Sequence, residues 1–404
     1  MPAIWASFGN VLLQKRPTRR MLVEQTYLIL ADGTSYPGYG VGAPVPTIPQ
    51  MLGMDITRIP CGEVVFNTTM GAYQEILTDP SYAGQMVAMT CVHIGNYGTD
   101  VVWNEMSSIA PACRALIVRD LYDGPVPPLR MPLLQMLETW GMSAITGVDT
   151  RSLTIHLREH GSCYGVLVRS PSLTKEDIGK VVAYLNSCPP LGDRDLIGTV
   201  TSDCVQEFEP DHPNGHRFAL IDFGIKRSIV KALLDRGVGI VLLPAHVTAQ
   251  TILALDPPVD AVFLSNGPGD PATLTSAIGT IKELTTHLPV LGICLGHQLI
   301  AHALGGHTVK MKFGHHGGNH PVCDTVTGQV FVTAQNHGYC VDAQSLPPGI
   351  QVTHVNANDG TIEGLADPIA RVMSVQFHPE ATPGPRDACK LFDQFIAFVE
   401  NTVN

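Results

Sequence analysis

At 404 residues the chain is far longer than one domain of about 100–200 residues, and 45% hydrophobic against 15% charged residues lets it bury more than one core. The same composition, with a mean hydropathy of +0.15, excludes disorder for most of its length. Lys+Arg 25 against Asp+Glu 36 leaves a net charge of −11, which repels phosphate backbones and argues against nucleic-acid binding as the main task.

Residues 1–22 read as a basic extension, with Lys15, Arg16, Arg19 and Arg20 and no acid among the first twenty. A transit peptide has this character, and a disordered or mis-assigned start has it more often. From 23 to 170 the pattern is a mixed α and β domain. Leu28 to Leu30 run into the hairpin signal Asp32-Gly33, Val64 to Thr68 and Gln85 to Val92 read as strands, and Met131 to Trp140 and Asp149 to His160 carry helical periodicity. Residues 171–215, with Pro189-Pro190 and a run of acids, read as a connector holding one short helix. Residues 216–404 open on strand and helix in alternation: Phe218 to Phe223, helix Lys226 to Arg236, Ile240 to Leu243, Ala261 to Leu264, helix Ser276 to His287, Val290 to Ile293. The fold expected is α/β, with a mostly parallel sheet covered by helices and a ligand site at the carboxyl ends of its strands.

No apolar run reaches the roughly 20 residues of a bilayer span; Pro289 to Gly306 is interrupted by His297, Gln298 and His302. The ten cysteines lie singly from Cys61 to Cys389 with no CxxC pair. That suggests reduced thiols and a cytoplasmic location, with organellar transit by the basic extension left open.

Chemistry is concentrated in the last domain. Gly292-Ile293-Cys294-Leu295-Gly296 ends a strand and runs into the helical stretch His297 to Leu304. This is the thiol form of the nucleophile elbow, a sharp turn that exposes the central side chain. Most cysteines are inert core fillers; flanking glycines and a helix N-terminus, which favours an anion, set Cys294 apart. A nucleophile needs a base and the base an orienting group. His378-Pro379-Glu380 follows a strand read over Arg371 to Phe377, and residues two apart in extended chain project to the same side. Ser265-Asn266-Gly267-Pro268-Gly269-Asp270-Pro271 ends another strand, and its backbone amides, with that of Leu295, suit an oxyanion hole.

Ser265 to Pro271, Gly292 to Gln298 and His378 to Glu380 resemble the three signatures of the class I glutamine amidotransferases. In the first domain, Phe66 to Tyr82 and His93 to Gly98, and in the second Lys312 to Pro321, resemble the small subunits of carbamoyl phosphate synthetases, over about residues 25 to 400. The resemblance implies a glutaminase with Cys294 as nucleophile, His378 as base and Glu380 as its orienter. It implies a glutamine pocket of Thr69, Gly267, Gly269, Leu295, Gln298, Asn336, Gly338 and Tyr339, with Thr69 in place of the more common serine and Tyr339 in place of phenylalanine. It further implies a tunnel carrying ammonia to a large partner subunit that uses ATP, Mg and bicarbonate for arginine and pyrimidine synthesis. This chain itself has no G-x-x-x-x-G-K-[ST] phosphate loop, and no cofactor is expected in it.

Three other readings are weaker. A metal centre would have to come from His297, His302, His307, His315, His316, His320 and His337, whose spacing fits no familiar site, so no metal is expected. A non-catalytic scaffold would not need to keep Cys294, His378 and Glu380 together. A thiol hydrolase of another amide, or a glutaminase serving another ammonia-using ligase, leaves the first domain unexplained. That domain is expected to serve the partner more than the chemistry, Thr69 excepted.

Overall fold

The computed structural model describes residues 25–106 and 111–403; the basic extension lies outside them. Strands Gln25–Leu30, Ser35–Gly42, Ser143–Thr146, Ala115–Ile117, Gln85–Met89, Cys61–Asn67 and Cys163–Arg169 close into a barrel in that spatial order. The first hairpin turns at Asp32-Gly33, where Gly33 takes φ +89° and Asp32 Oδ1 accepts from Thr34 N–H at 2.8 Å. Alternation then sorts the strands' side chains. Leu28, Leu30, Val64, Met86, Ala115, Ile117, Ile145 and Leu167 share one core, while Ile29, Cys61, Val166 and Val168 face another.

That second cluster is closed by the helix Lys175–Ser187, whose Val181 and Leu185 are buried in it. The helix therefore packs as part of the first domain, not as a connector. Its apolar positions were legible, but the surface they cover lies on distant strands. Beyond it, Gln206–Phe208 joins the second domain as an antiparallel edge strand on Gly239–Pro244.

The second domain is built on a ten-stranded sheet. Gly239–Pro244, Arg217–Asp222, Ala261–Leu264, Val290–Ile293 and Val372–Val375 run parallel, and Ile362–Asp367, Gln351–Asn356, Thr308–Asp324 and Val330–Val341 extend the sheet antiparallel. The parallel strands are apolar on both faces. Phe218, Leu220, Phe263 and Ile293 pack on helices Arg227–Leu234 and Leu391–Val403, while Ala219, Ile221, Leu264 and Val290 pack on Thr275–Leu284 and Leu295–Ala303. The antiparallel half brings the domains together. Thr308–Asp324 lies along the barrel strand Cys61–Asn67, with Phe313 tilted on Phe66 at 5.7 Å, Thr68 N–H donating to His316 O at 3.1 Å, and Lys310 Nζ 2.7 Å from Glu63 Oε1.

Candidate active site

Strand Val290–Ile293 delivers Cys294, and helix Leu295–Ala303 starts on the next residue. Cys294 has φ +54° and ψ −105°, a conformation that costs a non-glycine residue roughly 1–3 kcal/mol and persists only where its surroundings impose it. They do: a Cβ on Gly292 would lie 2.7 Å from Gly296 C, and one on Gly296 would lie 2.4 Å from Leu264 O. Cys294 N–H donates to Val375 O at 2.9 Å and Gly296 N–H to Ser265 O at 3.0 Å, tying the elbow to both neighbouring strands. The thiol points to Asn336 O at 3.6 Å. As the first helical residue, Leu295 has no carbonyl one turn earlier for its N–H.

His378 N–H donates to Ala334 O at 2.9 Å, fixing the backbone, and its Nδ1 donates to Glu380 Oε1 at 2.6 Å. Since Glu380 occupies Nδ1, Nε2 is left for the chemistry; it is buried and has no hydrogen-bond partner in this resting geometry. Burial pushes His378 down, yet the Glu380 carboxylate and the thiol outweigh it and raise it to about 10. Burial raises Glu380, and Lys226 with His378 reverses this, taking it to about 2. Lys226 Nζ stands 2.7 Å from Glu380 Oε1 in a pair that is 1% and 0% exposed, and it also donates to Thr382 O.

The cavity beside Cys294 is lined by Gly267, Pro268 and Gly269, by Gln298, by Asn336 to Tyr339, and by Ser81, Glu63 and Gln85 of the first domain. Gln298 Nε2 donates to Tyr339 O at 2.8 Å and to Gln376 Oε1 at 3.0 Å, which fixes its position in the wall. Asn336 is held from both sides, donating to Asp79 Oδ2 and facing His316 Nδ1, each at 3.0 Å. Gly267 must be glycine here, because a Cβ would meet Phe223 O at 2.3 Å.

Of the pocket residues expected from sequence, Gly267, Gly269, Gln298, Asn336, Gly338 and Tyr339 lie in the lining, and Leu295 adjoins Cys294 at the helix start. Thr69 does not line it: its Oγ1 is buried without a partner, close to Gly318. The hydroxyl in the wall is that of Ser81, whose Oγ accepts from Asn266 Nδ2 at 2.9 Å. Ser81 lies within the run Phe66 to Tyr82, and the Asp79-Pro80 turn before it is the available signal. Leu191 and Gly192, from the segment read as connector, complete the rim.

Among the described residues His315, His337 and Glu363 bring ligand atoms within 4.8 Å of one another, close enough for a metal ion. Their nitrogens are engaged otherwise: His315 Nε2 with Asp359 at 2.9 Å, and His337 with Tyr339 O and Gln335 Oε1, each at 2.8 Å.

A helix-flanked parallel sheet with a strained cysteine at a strand end, backed by His–Glu, is the architecture of a class I amidotransferase, and residues 219–398 match the family described as glutamine amidotransferase class-I. Residues 28–167 match carbamoyl-phosphate synthase small chain, CPSase domain. Three curated relatives are named carbamoyl phosphate synthase small chain. The protein of Nitratidesulfovibrio vulgaris is 43% identical over 85% of this chain and 93% of its own. That of Escherichia coli O6:H1 is 40% identical over 94% and 98%, and that of Oryza sativa, named chloroplastic, is 41% identical over 93% and 82%. The chain belongs to the carbamoyl phosphate synthase small chain family. No helix among its described residues is long and apolar enough to cross a membrane.

Proposed function

We propose that this chain hydrolyses L-glutamine to glutamate and ammonia through a Cys294 thioester, and passes the ammonia to a large ATP-using subunit that makes carbamoyl phosphate from bicarbonate. The observation that carries the reading is the strained Cys294 beside a His378 whose other nitrogen is committed to Glu380. Family membership supports the partner.

In this mechanism the Glu380 carboxylate keeps His378 in its imidazolium form, so that the Cys294 proton already resides on Nε2, and the sulfur attacks the side-chain amide carbon of glutamine. The carbonyl π electrons move to oxygen, which the Leu295 N–H and the Gly267–Gly269 loop stabilise. His378 then protonates the departing nitrogen as the C–N bond breaks, leaving the thioester. Water, deprotonated by His378, attacks the thioester carbon; the C–S bond breaks, glutamate leaves, and the sulfur is again paired with the imidazolium. Glu380 stabilises the imidazolium at each turn. A small cavity lined by Asn336, His378, Asp79, Lys226 and Pro383 adjoins the base on the side of the first domain.

Cys294→Ser is expected to abolish glutamine-dependent synthesis in the complex with a large subunit while ammonia-dependent synthesis continues. Glutamine hydrolysis within about tenfold of the unaltered chain would exclude the thioester route.

A further inference from the structure

Lys226 stands at the seam between the domains. Its side chain is fully buried, and the charges around it are Glu380 from its own domain and Glu75, Asp79 and Glu105 from the first. It immediately precedes helix Arg227–Leu234, and as the helix's N-cap residue it provides no side-chain cap of its own. The missing cap comes from the other domain. Glu105 Oε2 accepts from Ser228 N–H at 3.1 Å and from Ser228 Oγ at 2.7 Å, and Glu105 O accepts from Arg227 N–H at 2.9 Å. A carboxylate there satisfies otherwise unpaired helix N–H groups and lies at the positive end of the helix dipole.

Glu105 is itself fixed, its N–H donating to Thr78 Oγ1 at 3.0 Å. The contact continues toward the thiol. Ser228 Oγ accepts from Thr382 Oγ1 at 2.6 Å, Thr382 O accepts from Lys226 Nζ, and Glu380 Oε1 receives both Lys226 Nζ at 2.7 Å and His378 Nδ1 at 2.6 Å. One carboxylate oxygen thus serves the lysine and the imidazole together, while Glu380 Oε2 is buried without a partner. Burial and the Lys226 charge both oppose the pull of that carboxylate on His378.

We propose that Glu105 and Lys226 are positioning residues of the Cys294 site: Glu105, from the first domain, anchors the helix start that carries Lys226, and Lys226 holds the Glu380 carboxylate against His378. This rests on the reading of Cys294, His378 and Glu380 as the amide-cleaving group.

The groups facing His378 and Glu380 are Cys294, Lys226, Glu105 and Cys389, so removing charge from Lys226 or Glu105 acts on the imidazolium with opposite sign. Release of glutamate by the full chain is measured from pH 5.5 to 10. Lys226→Met is expected to lower kcat roughly ten- to a hundredfold, the effect of losing a hydrogen bond to a buried charge, and to move the alkaline limb of kcat/KM to higher pH. Lys226→Arg, which keeps the charge, should return the limb toward its original place. Glu105→Gln keeps the shape and an acceptor for Ser228 but removes the charge, and should move the limb to lower pH. Limbs that stay put, or that move the same way in both charge-removing variants, would overturn the proposal. If Lys226→Met does not fold, Glu105→Gln decides alone. A parent chain that releases no glutamate, or a Cys294→Ser chain that does, would instead remove the underlying reading of the site.

Discussion

Ser81 reaches the Cys294 cavity because the 3-10 turn Pro80–Tyr82 of the first domain abuts the Ser265–Pro271 loop of the second, and Asn266 Nδ2 locks its hydroxyl. Ser81→Ala is expected to raise the KM for glutamine a few-fold to about tenfold, as the loss of one hydrogen bond of about 0.5–1.5 kcal/mol requires, with ammonia-dependent synthesis unchanged. Thr69→Val removes only an unpartnered buried hydroxyl, so its KM should equal that of the unaltered chain and its stability should hold or rise slightly. A normal KM in the serine variant, or a raised one in the threonine variant, would return the pocket hydroxyl to Thr69. The contrast shows what was legible at this scale. Cys294, His378 and Glu380 announce themselves because the elbow and the His-x-Glu spacing are local. Ser81 does not, because its place is made by a partner 185 positions further along the chain.

At the scale of elements, the apolar strands of the parallel half were readable from composition and length. The strand Thr308–Asp324 was not: it carries Gly314, Gly317, Gly318 and four histidines or prolines in a stretch with little intrinsic strand preference. It is held extended by partners on both sides, Val330–Val341 along most of its length and Gln351–Asn356 at its end. The helix Lys175–Ser187 shows the complementary case, since its Thr174 capping box marks its start plainly, while its allegiance depends on where Val181 and Leu185 are buried. Leu185→Ala is expected to destabilise the chain by about 2–5 kcal/mol, the cost of a truncated core leucine. It should leave the KM for glutamine within twofold, because no member of the cluster that buries Leu185 lines the pocket; urea unfolding alongside glutaminase kinetics checks both. Gly296→Ala should stop turnover as well as cost stability, as a Cβ would lie 2.4 Å from Leu264 O and force the elbow off its strand; the same two measurements check it.

The whole molecule carries an unusual load of buried histidine. Burial holds His297 down to about 3 and His316, His320 and His354 to about 4, and it holds His337 well below the usual imidazole range. Each of these takes up a proton on unfolding once the pH drops below 6.5, the ordinary value for the side chain, so folding loses free energy from 6.5 downward through about 4. His378 has the opposite sign: raised to about 10, it stabilises the fold fully below 6.5 and progressively less as the pH rises through 10. Glu380, depressed to about 2, adds a loss only below 4.5. His315 is raised as His378 is, and burial raises Glu75 and Glu105, which offsets part of the acid loss. The five lowered histidines outnumber these, so stability should peak near pH 6.5 and fall more steeply on the acid side. Urea midpoints at pH 4.5, 6.5 and 8.5 measure this, and a flat response between 4.5 and 6.5 would contradict it. The first domain, expected from sequence mainly to serve a partner, supplies Ser81, Asp79 and Glu105 to the site, a dependence visible only when the halves are seen together.

The barrel pairs its first strand with its last, Leu28 opposite Leu167, and the seam pairs Thr68 with His316 across 248 residues. A chain emerging from the ribosome cannot close the barrel until Arg169 is out, and cannot complete the cavity until His378 and Glu380 follow; such distant pairings are slow to form because the intervening chain must first be ordered. Partly synthesised or clipped chains are therefore mute toward glutamine, and in refolding the recovery of glutamate release should lag behind the recovery of strand signal. The order of synthesis thus leaves the thiol unarmed until His378 and Glu380 have joined the fold.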